Sequence, residues 1–157
     1  MEYVDVVSRI IHIATAITLV GGSAFMLLVL MPSVKELPSE AREQFSAAVK
    51  NRWKRFVHIG ILLFLLSGLY NYIRMVPLHK GDGLYHALIG TKILIALGVF
   101  FIAAALVGRS EKLEGIRRNR AKWLKVVVLL AATIVAISGY VKVRGAAAPA
   151  PNVTAQP

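Results

Sequence analysis

The chain has 157 residues, 57% of them hydrophobic, a mean hydropathy of +0.64 and a formal net charge of +11. So apolar a composition excludes a soluble globular domain, and the length accommodates about four membrane spans with no room for a separate catalytic domain. Cysteine is absent, which excludes disulfides, thiolate metal sites and thiol catalysis, while the basic residues gather in short links between apolar runs, a pattern of membrane orientation and not of nucleic-acid binding.

The first apolar run extends from about Val4 to Met31 and is expected to stop at Pro32, which lacks the amide that continues a helix. It opens with Glu2 and Asp5 and exceeds the roughly 7–15 apolar residues of a signal peptide, so it is expected to be a retained span. Arg9 and His12 fall near its start. Gly21, Gly22, Ser23 and Ala24 form a small-residue patch of the kind that lets a neighbouring helix approach closely.

The polar segment Ser33 to Arg55 contains Ser39, Glu40 and Glu43, which read as a capped helix start with acids near its positive end. That helix is predicted to run unbroken into a second span, Phe56 to Ile73, with Trp53 at one end and Tyr70, Tyr72 and Arg74 at the other as interfacial anchors. His58, near its start, reads as an interfacial residue. The link from Met75 to Gly83 holds Pro77, Gly81 and Gly83 and predicts a turn-rich loop in which His79 is solvated.

The third span, Leu84 to Gly108, carries one formal charge, Lys92. A basic loop follows from Arg109 to Lys122, then a fourth span from Trp123 to Val141, and then a Pro-rich tail over 145–157 that is expected to be disordered. Asn152-Val153-Thr154 matches a glycosylation acceptor, a pattern short enough to arise by chance. The fold class is therefore all-α, a polytopic membrane four-helix bundle. Lysine and arginine crowd the first and third links and are sparse in the second, so those two links are expected in the cytoplasm and both termini on the outer side.

An ammonium within a span costs roughly 2.5–3.5 kcal/mol on insertion scales unless it snorkels or finds a partner. At ~1.5 Å per residue Lys92 lies ~25 Å from Arg109, and His12 ~29 Å from Met31, so the two share a depth in the outer third; His58, ~5 Å from Arg55, lies at the opposite end. Helical periodicity puts Tyr85 on the face of Lys92 and Arg9 on that of His12, with His86 about a third of a turn away. Arg9, His12, Tyr85 and Lys92 thus form a candidate site near the outer surface. An imidazole below a cation suits a haem, iron on the histidine and propionates on Arg or Lys. The competing reading of His12 is an interhelical hydrogen bond. Met1, Met26, Met31 and Met75 form no short-spaced copper cluster.

The runs RIIHIATAITLVGGSAFMLLVLMP, RFVHIGILLFLLSGLYNY and GLYHALIGTKILIALGVFFIAAAL resemble the copper resistance D (CopD) family and its relatives, four-span units that include the HemJ-type protoporphyrinogen oxidases. The likeness covers nearly all of the chain to Arg144. HemJ-type proteins share a first-span histidine thought to hold haem b and a third-span lysine needed for activity, and the resemblance carries these to His12 and Lys92. The likeness is closer to CopD: span four begins WLKVVVLLAAT with Lys125 and no carboxylate, and Leu19-Val20 stand where HemJ-type proteins have a tryptophan before the glycine.

The resemblance implies a multi-pass protein of the bacterial plasma (inner) membrane and, as one alternative, a HemJ-type protoporphyrinogen oxidase; three further functions are expected from it and from the residues together. One is a haem b protein that passes electrons, with His12 as axial ligand and Lys92 as second ligand or propionate partner. Another is copper handling through His12 and His86, with Met1 at the outer end. The third is a non-catalytic bundle whose partners, beyond the lipid bilayer, are other membrane subunits or further copies of itself.

Overall fold

The computed structural model describes residues 2–145. Met1, the tail beyond Gly145 and the Asn152 triplet lie outside the described residues.

The first helix, α1 (Glu2–Phe25), passes through a π turn (Met26–Leu30) into α2 (Met31–Val34). The rod does not stop at Pro32, and the π turn supplies the reason. In an unbroken α-helix the proline ring would collide with the carbonyl of Leu28; a wider turn, closed by Met31 N–H donating to the Met26 carbonyl, relieves that collision and the helix goes on to Val34. After a short link, α3 (Ser39–Met75) carries the polar segment and the second apolar stretch as one helix of 37 residues, about 55 Å long at ~1.5 Å per residue. The next link is a 3-10 turn (Val76–His79) followed by Gly81 at φ 83°, a left-handed conformation suited to glycine. Then come α4 (Gly83–Val107), a 3-10 turn (Glu111–Leu113), α5 (Glu114–Arg118) and α6 (Arg120–Arg144).

Four helical segments are long and apolar enough to cross a membrane, with mean hydropathies of 1.7 to 2.3. Their outer faces are as apolar as their inner ones: Ile17, Leu28, Leu94 and Leu129 are each about 67–71% exposed. Helices that are hydrophobic all round are those of membrane spans or of the interiors of large proteins. No strand occurs among the described residues.

The four rods pack in a ring. Contact is most extensive within two hairpins, α1 against α3 and α4 against α6, and is completed by α3 on α4 and α1 on α6. Close approach in the first hairpin depends on small residues: a Cβ on Gly22 would overlap the indole of Trp53, and one on Gly60 would overlap Leu19. Gly21, by contrast, faces open space.

The interior has two zones. Toward the basic links Met26, Ile102, Leu106, Leu124 and Val127 form an apolar cluster, flanked by Trp53 and Trp123. Toward the termini the interior face of α1 is polar, with Ser8 and Thr15 buried and His12 half-buried between them; positions 8, 12 and 15 share one helical face.

Each hairpin is also joined at its free end by an ion pair. Arg74 donates to Asp5 through Nε at 3.0 Å and Nη2 at 2.9 Å, and Tyr70 donates to the same carboxylate at 2.7 Å. Arg144 grips Asp82 at 2.9–3.1 Å. Both carboxylates sit at helix N-termini and both guanidiniums in a last turn, so each pair also complements the helix dipoles.

Candidate functional site

His12 is held by α3. Its Nδ1 lies 2.9 Å from Ser67 Oγ, its ring meets Phe64 edge-on at 5.0 Å, and its Cε1 sits 3.4 Å from where a Cβ on Gly68 would be. The LSGLY run that follows Phe64 is thus a seat for the imidazole.

The hydrogen bonds around Ser67 fix which nitrogen carries the proton. Ser67 Oγ lies 2.6 Å from the Leu63 carbonyl oxygen, and two oxygens that close need a hydrogen between them. The hydroxyl hydrogen is therefore spent on Leu63, and Ser67 Oγ accepts from His12 Nδ1–H. The neutral imidazole is then the Nδ1–H tautomer, with its lone pair on Nε2. Ser8 Oγ–H donates to the Ser67 carbonyl at 3.4 Å, tying α1 to the same point.

Lys92 on α4 is within electrostatic range of His12 on α1. It is half-buried and makes no ion pair or hydrogen bond among the described residues. No family model matches the chain, and no curated protein or solved structure does either. Function is therefore read from this geometry: a histidine lone pair on α1 and, on α4, a lysine with no ion-pair partner among the described residues.

The other residues singled out in the sequence lie elsewhere. Arg9 is exposed and makes no ion pair among the described residues. Tyr85 is buried, but its ring stacks on His79 with centroids 3.7 Å apart and planes at 9°. His86 meets Tyr85 edge-on and donates Nε2–H to the His79 carbonyl at 3.1 Å. These rings form a separate cap over the start of α4. His79, expected to be solvated, is half-buried under Tyr85 and donates Nδ1–H to the Met75 carbonyl. Helical side chains lean toward the N-terminus, so Tyr85 reaches out to the link while Lys92 stays inside. His58 is exposed at the basic end and donates to the Lys54 carbonyl at 2.7 Å.

Sequence reasoning missed Ser67 and Asp82. Ser67 is a small polar residue one helical turn from Phe64, and only the pairing of α1 with α3 gives it a histidine. Asp82 had a local signal, an aspartate just before a helix start, and its side chain does accept from Tyr85 N–H at 3.0 Å. No group of three or more His, Cys, Asp or Glu that could hold a metal ion occurs among the described residues.

Proposed function

We propose that this chain is a CopD-like integral membrane protein that holds haem b near the end of the bundle bearing the termini, with His12 as axial ligand, and that it passes electrons there. The observation that carries this reading is the His12–Ser67 hydrogen bond, which fixes Nδ1 as a donor and leaves Nε2 free to ligate. Metal-binding histidines characteristically donate their other ring nitrogen in this way.

The donor set fits a porphyrin better than a bare ion. A porphyrin supplies four of the iron's ligands and asks one or two of the protein, whereas copper needs a cluster that these residues do not form. Haem b would supply one-electron redox chemistry. Ser67 orients the imidazole and Phe64 limits its rotation, while Lys92 would hold the haem through a propionate or through the iron. Arg9 provides a further cation at the surface for propionate or headgroup oxygens. The apolar surface and the basic links support a multi-pass membrane position with the termini outside, and the resemblance to CopD extends it to a bacterial inner membrane.

The test is optical. Protein purified from haem-replete cells is expected to show a Soret band that His12→Ala abolishes and Lys92→Ala shifts or weakens. A colourless preparation, or a band untouched by His12→Ala, would overturn the reading. Copper analysis of the same samples decides the copper alternative, for which the structure keeps His86 in a cap apart from His12: copper bound in stoichiometric amount by colourless protein would replace haem with copper.

A further inference from the structure

The first hairpin is longer than the second. α3 has 37 residues, α4 and α6 have 25 each, and the difference is about 18 Å of helix at ~1.5 Å per residue. The short turn after α3 keeps its C-terminal end level with the start of α4, so the surplus projects at the other end, beyond the apolar cluster. α1 follows it there through the π turn and α2.

Where the projecting hairpin rises past α6 there is a cleft of about 270 Å³. Its apolar floor is made by Met26, Leu30, Phe45 and Val49, and its cations are Lys35, Arg42 and Arg120. No carboxylate lines it. Glu36, Glu40 and Glu43 are close in sequence but lie outside the lining and form no ion pair among the described residues.

Arg120 is the informative member. It is half-buried at the base of the cleft, and among the described residues its one side-chain hydrogen-bond partner is the weakly accepting Met26 Sδ, 3.9 Å away. A guanidinium has five donors in a planar fork matched to two oxygens of a phosphate. The surrounding field has the same sign: the charges of Arg117, Arg120, Arg109 and Lys54 all act on Lys50.

We infer that the cleft is a binding site for an anionic phospholipid. The headgroup phosphate lies against Arg120 and Arg42 with Lys35 at the rim, and the start of an acyl chain lies along Met26, Leu30 and Phe45. Inorganic phosphate satisfies the cations but not the floor, and a neutral lipid the floor but not the cations. The site lies at the opposite end of the bundle from His12, and nothing in it depends on a bound haem.

The full chain in a neutral detergent is titrated with phosphatidylglycerol, with phosphatidylcholine of the same acyl chains and with inorganic phosphate. Trp53 and Trp123, both packed against the cluster that contains Met26, give the fluorescence signal, and native mass spectrometry counts bound lipid. Phosphatidylglycerol is expected to bind about ten-fold more tightly than phosphatidylcholine, with no displacement by millimolar phosphate. Arg120→Gln and, separately, Arg42→Gln are each expected to weaken it by about five-fold, and Arg118→Gln, exposed and outside the cleft, by less than about two-fold. Arg42 is exposed, so its variant keeps the test valid should Arg120→Gln misfold. Equal losses in all three variants, equal binding of the two lipids, or displacement by phosphate alone would each overturn the proposal.

Discussion

Asp82 and Arg144 are 62 residues apart in sequence and share three hydrogen bonds. The carboxylate is only 6% exposed while the guanidinium is 27% exposed, so the acid depends on its partner more than the base does. Asp82 also caps α4 through Tyr85 N–H.

Replacing Asp82 therefore removes, among its interactions, an ion pair and a helix cap that can be separated. Asp82→Ala is expected to destabilise the bundle by about 2–3 kcal/mol, below the ~3–5 kcal/mol of a fully buried pair because water can reach Arg144. Asp82→Asn keeps a good capping group and should recover about 1 kcal/mol of that loss. Denaturant unfolding in detergent, followed by circular dichroism, measures both. Equal losses for the two variants would show that the cap contributes nothing.

The Asp5–Arg74 pair is the corresponding link of the first hairpin in a wetter place, with the two side chains 36% and 47% exposed. Solvent screening makes such pairs weak. Arg74→Gln should lower the unfolding midpoint less than Asp82→Asn does, and what it costs should fade in high salt, where the Debye length contracts to a few ångströms. A salt-independent loss as large as that of Asp82→Asn would contradict this.

Gly21 and Gly22 are neighbours with opposite surroundings. Gly22→Ala forces a methyl into the Trp53 indole and is expected to cost about 1–3 kcal/mol, as overpacking does, with a shift in tryptophan emission. Gly21→Ala meets nothing within 4 Å and should be neutral or stabilising by up to about 1 kcal/mol through helix propensity. Equal effects would mean that the helix faces are misassigned.

The His12 tautomer can be read without any cofactor. Nitrogen NMR of protein labelled at histidine should show Nδ1 protonated in the wild type, and Ser67→Ala should shift population toward the Nε2–H form. An unchanged tautomer ratio in Ser67→Ala would remove the reason for regarding Nε2 as the free donor. In protein carrying haem, the same variant is expected to bind it about ten-fold more weakly.

Hydropathy alone made the four long helices legible, because apolar runs of that length have few other uses, and the Gly22 contact followed from residue size. What the sequence could not reveal was pairing across the bundle. Ser67 is an ordinary serine until α3 is docked on α1, and Arg144 reads as an interfacial charge until the end of α6 meets the start of α4. Lys92 and Tyr85 share a helical face in sequence, yet Tyr85 is claimed by His79, because side-chain lean and a turn decide its contacts. Proline at position 32 looked like a stop. A π turn accommodates it, and no local residue pattern announces that turn.

The two ion pairs have a topological meaning. Each joins the free ends of one hairpin, so the chain is two closed loops, fastened by a covalent link at one end and by a carboxylate and a guanidinium at the other. The first loop needs only residues 2–75 to close. It can be complete before the second has been synthesised, and the second then has a finished surface to dock against.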